Sequence, residues 1–160
     1  MHIGKFRHQI NVSNEFSQLS RDDEEAACML AEKGHFRQAC YCIVQAMEKL
    51  IRAKIFSLVN ANIEYFRIRN QTHSIDSAVD FLIEIISNDQ TIREQVSSQL
   101  KYHVLGDTKY SYLHNNLRYP SYFNKYNSYS ILEVDFRDFE LLMNRFKLLK
   151  KFLHDLHKFS

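Results

Sequence analysis

Two residues of the chain could together move a proton and hold a phosphate: His114 and Arg118. They stand four apart in the stretch HNNLR, so on a helix they share a face. A histidine exchanges protons near neutral pH, and a guanidinium grips a phosphate with paired hydrogen bonds. Asn115 and Tyr119 flank that face. Two such faces meeting across a dimer would make a compact phosphodiester site. The plainer reading is a solvated helix end, with Arg118 stabilising the last carbonyls. Arg67 and His73, with five residues between them, are a second candidate pair. Against that, Thr72 and His73 can serve simply to cap a helix.

Around His114 and Arg118 the chain is rich in tyrosine. Tyr110, Tyr112, Tyr119, Tyr122, Phe123, Tyr126 and Tyr129 are interleaved with Lys109, Arg118 and Lys125. Aromatic rings stack on unpaired bases while basic groups hold phosphates. Tyrosine is equally at home in a protein interface, and spacing leaves RNA and a partner protein both open. Lys109, His114, Asn115, Arg118, Tyr119, Tyr122 and Lys125 are therefore the candidate contacts for RNA, a nucleotide or a protein. Other chemistries lack their residues. There is no Gly-rich phosphate loop, no CxxC, no His-x-x-x-His pair and no nucleophile elbow. His154 and His157 have no carboxylate placed to complete a metal site, so neither metal nor cofactor is expected. The basic residues Arg145, Lys147, Lys150, Lys151 and Lys158 alternate with Asp138, Glu140 and Asp155 and read as a solvated face.

These groups need a scaffold, and the sequence centres it on His35–Asn60. Ala39, Ile43, Ala46, Leu50 and Ala53 form one helical stripe; Cys40, Val44, Met47, Ile51, Ile55 and Leu58 form a second beside it. A helix apolar over so wide an arc is the central member of a bundle. Before it, residues 1–19 read as an arm. A helix then starts at Ser20 as N-cap, with Asp22, Asp23, Glu24 and Glu25 in its first turn. Gly34 ends that helix, which forces an antiparallel hairpin with the next. Residues 60–73 read as a connection, and Thr72 or Ser74 caps a helix that buries Ile75, Val79, Leu82, Ile83 and Ile86. A further pattern carries Ile92, Val96 and Leu100. Asp107 or Thr108 caps a helix through about Arg118, which Pro120 stops. Residues 119–130 read as an irregular loop. The last helix, Asp135–His157, carries Phe139, Leu142, Phe146, Leu149, Leu153 and Leu156 as a heptad seam for the central helix or a partner.

Composition agrees. The 160 residues include only 3 Gly and 1 Pro, too few turn residues for an all-β or α/β chain of this length. The formal net charge of +2 does not by itself point to nucleic acid, yet residues 101–130 hold four basic residues against one acidic. Cys28, Cys40 and Cys42, odd in number and without CxxC, read as small buried hydrophobes in a reducing compartment. The N-terminus has no apolar signal core, and no apolar run approaches a membrane span. A cytoplasmic location is expected.

In order along the chain stand the stretch GHFRQACYCIVQAMEKLIRAKI, with its Glu48-Lys49 and Ala53-Lys54 pairs, then Thr72-His73, then Arg118-Tyr119-Pro120. This arrangement resembles the HEPN domain family (higher eukaryotes and prokaryotes nucleotide-binding), over roughly residues 20–158. The resemblance implies an all-α, up-and-down bundle of four to five helices, usually a homodimer. It implies an RNA- or nucleotide-associated module, a partner of a minimal nucleotidyltransferase in a toxin–antitoxin or defence system, or a metal-independent endoribonuclease. Active members carry an Arg followed after four to six residues by a His. Here the one such match is Arg67 to His73, ahead of the third helix and not at the family's usual place. Near the usual place stand His114 and Arg118, in reverse order. The expectation is thus a single domain over 20–160 that binds RNA, a nucleotide or a partner without catalysis. The alternatives are a divergent ribonuclease and a purely structural assembly bundle. An ion pair of Arg118 with Glu133 or Asp135 would make that arginine structural.

Overall fold

The computed structural model describes residues 2–157. About 70% of the chain is helical, with one small two-stranded sheet. Helix α1 spans Val12–Glu32 and α2 spans Phe36–Leu58. Gly34, at φ +78°, joins them. Its N–H donates to the Ala31 carbonyl and the His35 N–H to that of Leu30, a Schellman close that only a residue tolerant of positive φ makes cheaply.

The N-cap of α1 lies nine residues earlier than the acidic run suggests. Asn11 is the N-cap and accepts the Asn14 N–H at 2.9 Å. Ser20, expected to be the cap, lies mid-helix and buried. Its hydroxyl donates to the Ala46 carbonyl at 2.8 Å, and one heptad back Ser13 donates to Ala53 at 2.7 Å. The same antiparallel register sets Ala27 opposite Ala39, and both are fully buried. Small residues at every seventh position of α1 bring the two backbones close.

Helix α2 is the core element. Ala39, Cys40, Ile43, Ala46, Met47, Ile51 and Ile55 are fully buried, and α1, α4, α6 and α7 all pack on it. Leu50 and Leu58 are only half-buried at the edges of its stripes. The connection after α2 holds a short helix, α3 (Glu64–Arg69), which the sequence did not suggest. Helix α4 (Ile75–Ile86) is capped by Ser74, whose hydroxyl accepts the Ser77 N–H. Helix α5 (Gln90–Ser98) runs on into a π-helical segment, Gln99–Val104.

Helix α6 (Tyr110–Arg118) takes no cap from Asp107 or Thr108. Asp76 of α4 accepts the Ser111 N–H at 2.9 Å instead. At the other end Arg37 of α2 donates to the carbonyls of Asn116 and Leu117 at 3.3 and 3.1 Å. Tyr119 then turns extended, as Pro120 requires. Residues 119–130 are not an irregular loop but a β-hairpin, which corrects the all-α expectation. Strands β1 (Ser121–Phe123) and β2 (Ser128–Ser130) pair antiparallel, with Tyr122 opposite Tyr129. Asn127 closes the turn at φ +47°, a left-handed conformation that asparagine tolerates.

Helix α7 (Phe136–Asp155) opens with a capping box between Asp135 and Asp138. Its heptad seam is buried from Phe139 to Leu156 and packs on α2 within the same chain. Of the cysteines, only Cys40 is fully buried. Cys28 is exposed and Cys42 half-buried, so the expectation of three buried hydrophobes holds for one. No helix among the described residues is long and apolar enough to cross a membrane. Lys158 lies outside the described residues.

Candidate functional site

Helix α2 has a polar stripe beside its apolar faces. Tyr41, Gln45, Glu48, Lys49 and Arg52 recur at helical spacing and floor a cleft of about 340 Å³. Asn70 and His73, from the α3–α4 connection, form one wall, and His114 and Arg118 of α6 form the other. Phe16 of α1 closes one end, stacked on Phe56 at 6.0 Å.

Arg52 holds the first wall in place. It is 1% exposed. Its guanidinium donates to Asn70 Oδ1 at 2.8 Å and to the Thr72 carbonyl. Its Nε makes no hydrogen bond and lies 3.5 Å from the Glu48 carboxylate, one helical turn back. Burial pulls its pKa below the usual arginine value, and Glu48 opposes that shift. A buried charge with these partners fixes the connection that carries His73 onto the side of α2. Lys49 is already engaged, 2.5 Å from Asp23 of α1.

His114 is held from two sides. Its ring stacks on Tyr41 at 5.2 Å, and its Nε2 meets the Gln45 amide at 2.6 Å. Burial, and then the charge of Arg118, pull its pKa below the ordinary histidine value, while Glu48 opposes them. The imidazole is therefore neutral near pH 7 and can both accept and donate a proton. Arg118 is exposed on the rim. It donates to the Tyr119 hydroxyl at 2.9 Å, and its guanidinium lies 4.8 Å from that ring's centre. It makes no ion pair with Glu133, Asp135 or any other carboxylate among the described residues.

The cleft thus joins His73, His114 and Arg118, which the sequence offered as separate pairs. It does not take in Arg67, which sits exposed on α3. Lys109 is at the far end of α6, and Asn115 is exposed on that helix without lining the cleft. Tyr119 is on the rim, while Tyr122 and Lys125 belong to the hairpin beyond it. Sequence reasoning missed Tyr41, Gln45, Arg52 and Asn70 as cleft residues. For Tyr41, Gln45 and Arg52 the one signal was the polar stripe itself, at steps of three and four along α2; Asn70, at the end of α3, had none. Among the described residues no group of three His, Cys, Asp or Glu side chains is placed to hold a metal ion.

No family model, curated protein or solved structure matches the chain.

Proposed function

We propose that this protein is a HEPN-type helical module whose cleft binds the phosphates of RNA or a nucleotide. The observation that carries the reading is the meeting of His73, His114 and Arg118 in one cleft, although they arise from different elements. Arg118 is the cation there without a carboxylate partner among the described residues, so its charge is available to a ligand. Buried Arg52 adds positive field from below, and Glu48, which faces it, is the one carboxylate in the lining. The homodimer and the nucleotidyltransferase partner implied by the resemblance belong to the same reading.

The test is a titration of fluorescently labelled single-stranded RNA over a range of salt. Affinity should fall as salt rises, because bound phosphates release counterions, and Arg118→Ala should weaken it. An affinity unchanged by Arg118→Ala would remove the cleft from the binding surface. No binding at low salt would leave a structural assembly bundle.

The two histidines favour a second reading, metal-independent RNA cleavage. One imidazole would take the proton of the 2′-hydroxyl as it attacks the adjacent phosphorus. The other would protonate the departing 5′-oxygen. Incubation with RNA in the presence of a metal chelator separates the two readings. Cleavage that disappears in both His114→Ala and His73→Ala would establish the enzyme.

A further inference from the structure

The hairpin beyond Arg118 has a surface that the cleft does not use. The Ser121 hydroxyl donates to Asn116 Oδ1 at 2.6 Å and ties that face of β1 to α6. Side chains alternate across a strand, so the cross-strand pair Tyr122 and Tyr129 points the other way. Their rings meet edge to face at 5.5 Å, yet they stay 52% and 72% exposed. At the tip Phe123 and Tyr126 make a second pair at 6.4 Å, and Lys125 Nζ lies 5.5 Å from the Tyr126 ring centre.

Exposed aromatic side chains gathered on one element mark an interaction surface, and charge selects the partner. From Thr108 to Leu132 the chain has no acidic residue. Arg118 and Lys125 both lie against tyrosine rings, and among the described residues neither makes an ion pair. Rings with cations beside them, on an acid-free segment, match a ligand that offers flat bases and phosphates together. Arg118 lies on the cleft rim and only three residues before β1, so the hairpin follows directly from that rim.

We infer that the β1–β2 hairpin is a stacking platform for the unpaired bases of a single-stranded nucleic acid whose phosphates reach the adjacent cleft. The inference rests on the phosphate reading of the cleft. Tyr122 and Tyr129 would carry the stacking, and Lys125 would stand beside the backbone at the tip.

The test is fluorescence anisotropy of a labelled oligouridylate, with the double variant Tyr122→Ala/Tyr129→Ala and its Phe counterpart. The alanine variant should bind about five- to a hundredfold more weakly, as loss of one stacked base predicts. The phenylalanine variant, which keeps the rings, should stay within about twofold. The chain has no tryptophan, so Tyr122→Trp gives a single emission signal that should be quenched as the oligonucleotide stacks. Circular dichroism checks that each variant is folded. Unchanged affinity in the alanine variant, with Arg118→Ala still weakening it, overturns the hairpin inference and leaves the cleft reading standing. Equal affinity for the duplex overturns it too. So does an alanine variant that changes from dimer to monomer while its RNA affinity stays the same, because the hairpin would then be a self-association surface. Failure of the parent protein to bind RNA overturns both readings.

Discussion

Two of the hollows on the described surface contrast. One is the cleft floored by the polar stripe of α2. The other is a groove between α5, the π-helical segment and α7, lined largely by side chains such as Ile92, Val96, Leu148 and Phe152. The groove is the larger, at about 770 Å³ against about 340 Å³. Its apolar side chains are interspersed with Gln95, Ser98, Gln99, Lys151 and Asp155, whose side chains, among the described residues, make no hydrogen bonds to one another. In the cleft, Arg52 is hydrogen-bonded to Asn70 and Thr72, His114 stacks on Tyr41 and is hydrogen-bonded to Gln45, and Lys49 is bonded to Asp23. Volume records how loosely two elements meet. Convergent polar groups held at fixed positions are what recognition needs.

The strongest challenge to that contrast is Arg52→Ala. It strips the cleft wall of its anchor and leaves Glu48 without its buried partner, so unfolding free energy in urea should fall by about 3–5 kcal/mol. A loss under about 1 kcal/mol would show that Asn70 and Thr72 keep their places unaided. Arg118→Ala should act on binding alone. RNA affinity should drop by about 1–3 kcal/mol, the worth of a charged hydrogen bond, with the urea midpoint unchanged. A matching loss of stability would make the residue structural.

His114 sharpens the comparison through pH. Its folded-state pKa lies below the ordinary value of ~6.5. As pH falls through that value the unfolded chain takes up the proton first. Stability therefore declines from about pH 6.5 until the folded imidazole is itself protonated. The thermal midpoint should be lower at acid pH, and His114→Gln should remove part of that decline. An anion in the cleft favours the imidazolium, so binding should take up a proton and strengthen as pH falls towards the lowered folded-state pKa. Calorimetry in buffers of different ionisation enthalpy measures that uptake. The smallest effect belongs to the groove. Leu148, 51% exposed, changed to Ser should shift stability by less than about 0.5 kcal/mol and leave RNA affinity as it was. A loss of affinity there would move the binding surface to the groove.

The parts of the fold legible in the sequence are those that local chemistry decides. The wide apolar arc of α2, Gly34, Ser74 as a cap, and the α7 seam all follow from spacing and turn chemistry within a few residues. What escaped depends on a distant partner. Ser20 looks like a cap until α2 offers it the Ala46 carbonyl. Helix α6 looks self-capped until Asp76 arrives from α4. Strands of three residues are too short to show alternation, so only Asn127 hinted at the hairpin turn. The seam of α7 was legible as a seam, but not that it would be shared between α2 and the π-helical segment of the same chain. In the site, His114 and Arg118 were readable as one helical face. Their meeting with His73 was not, because Arg52 brings it about, a charge hidden beside an apolar stripe.

Helix α6 has nine residues, fewer than the roughly 12–15 that hold a helix unaided. Its first turn is completed by Asp76 and its last by Arg37, on two other helices. It therefore has nothing to close on until α2 and α4 have docked. The expected order of opening puts the wall that bears His114 and Arg118 before the buried floor of α2. A phosphate bridging Arg118 to the α2 stripe would fasten that wall to that floor. Its arrival should be visible as slowed amide exchange across Tyr110–Arg118, while the amides of α2 keep their pace.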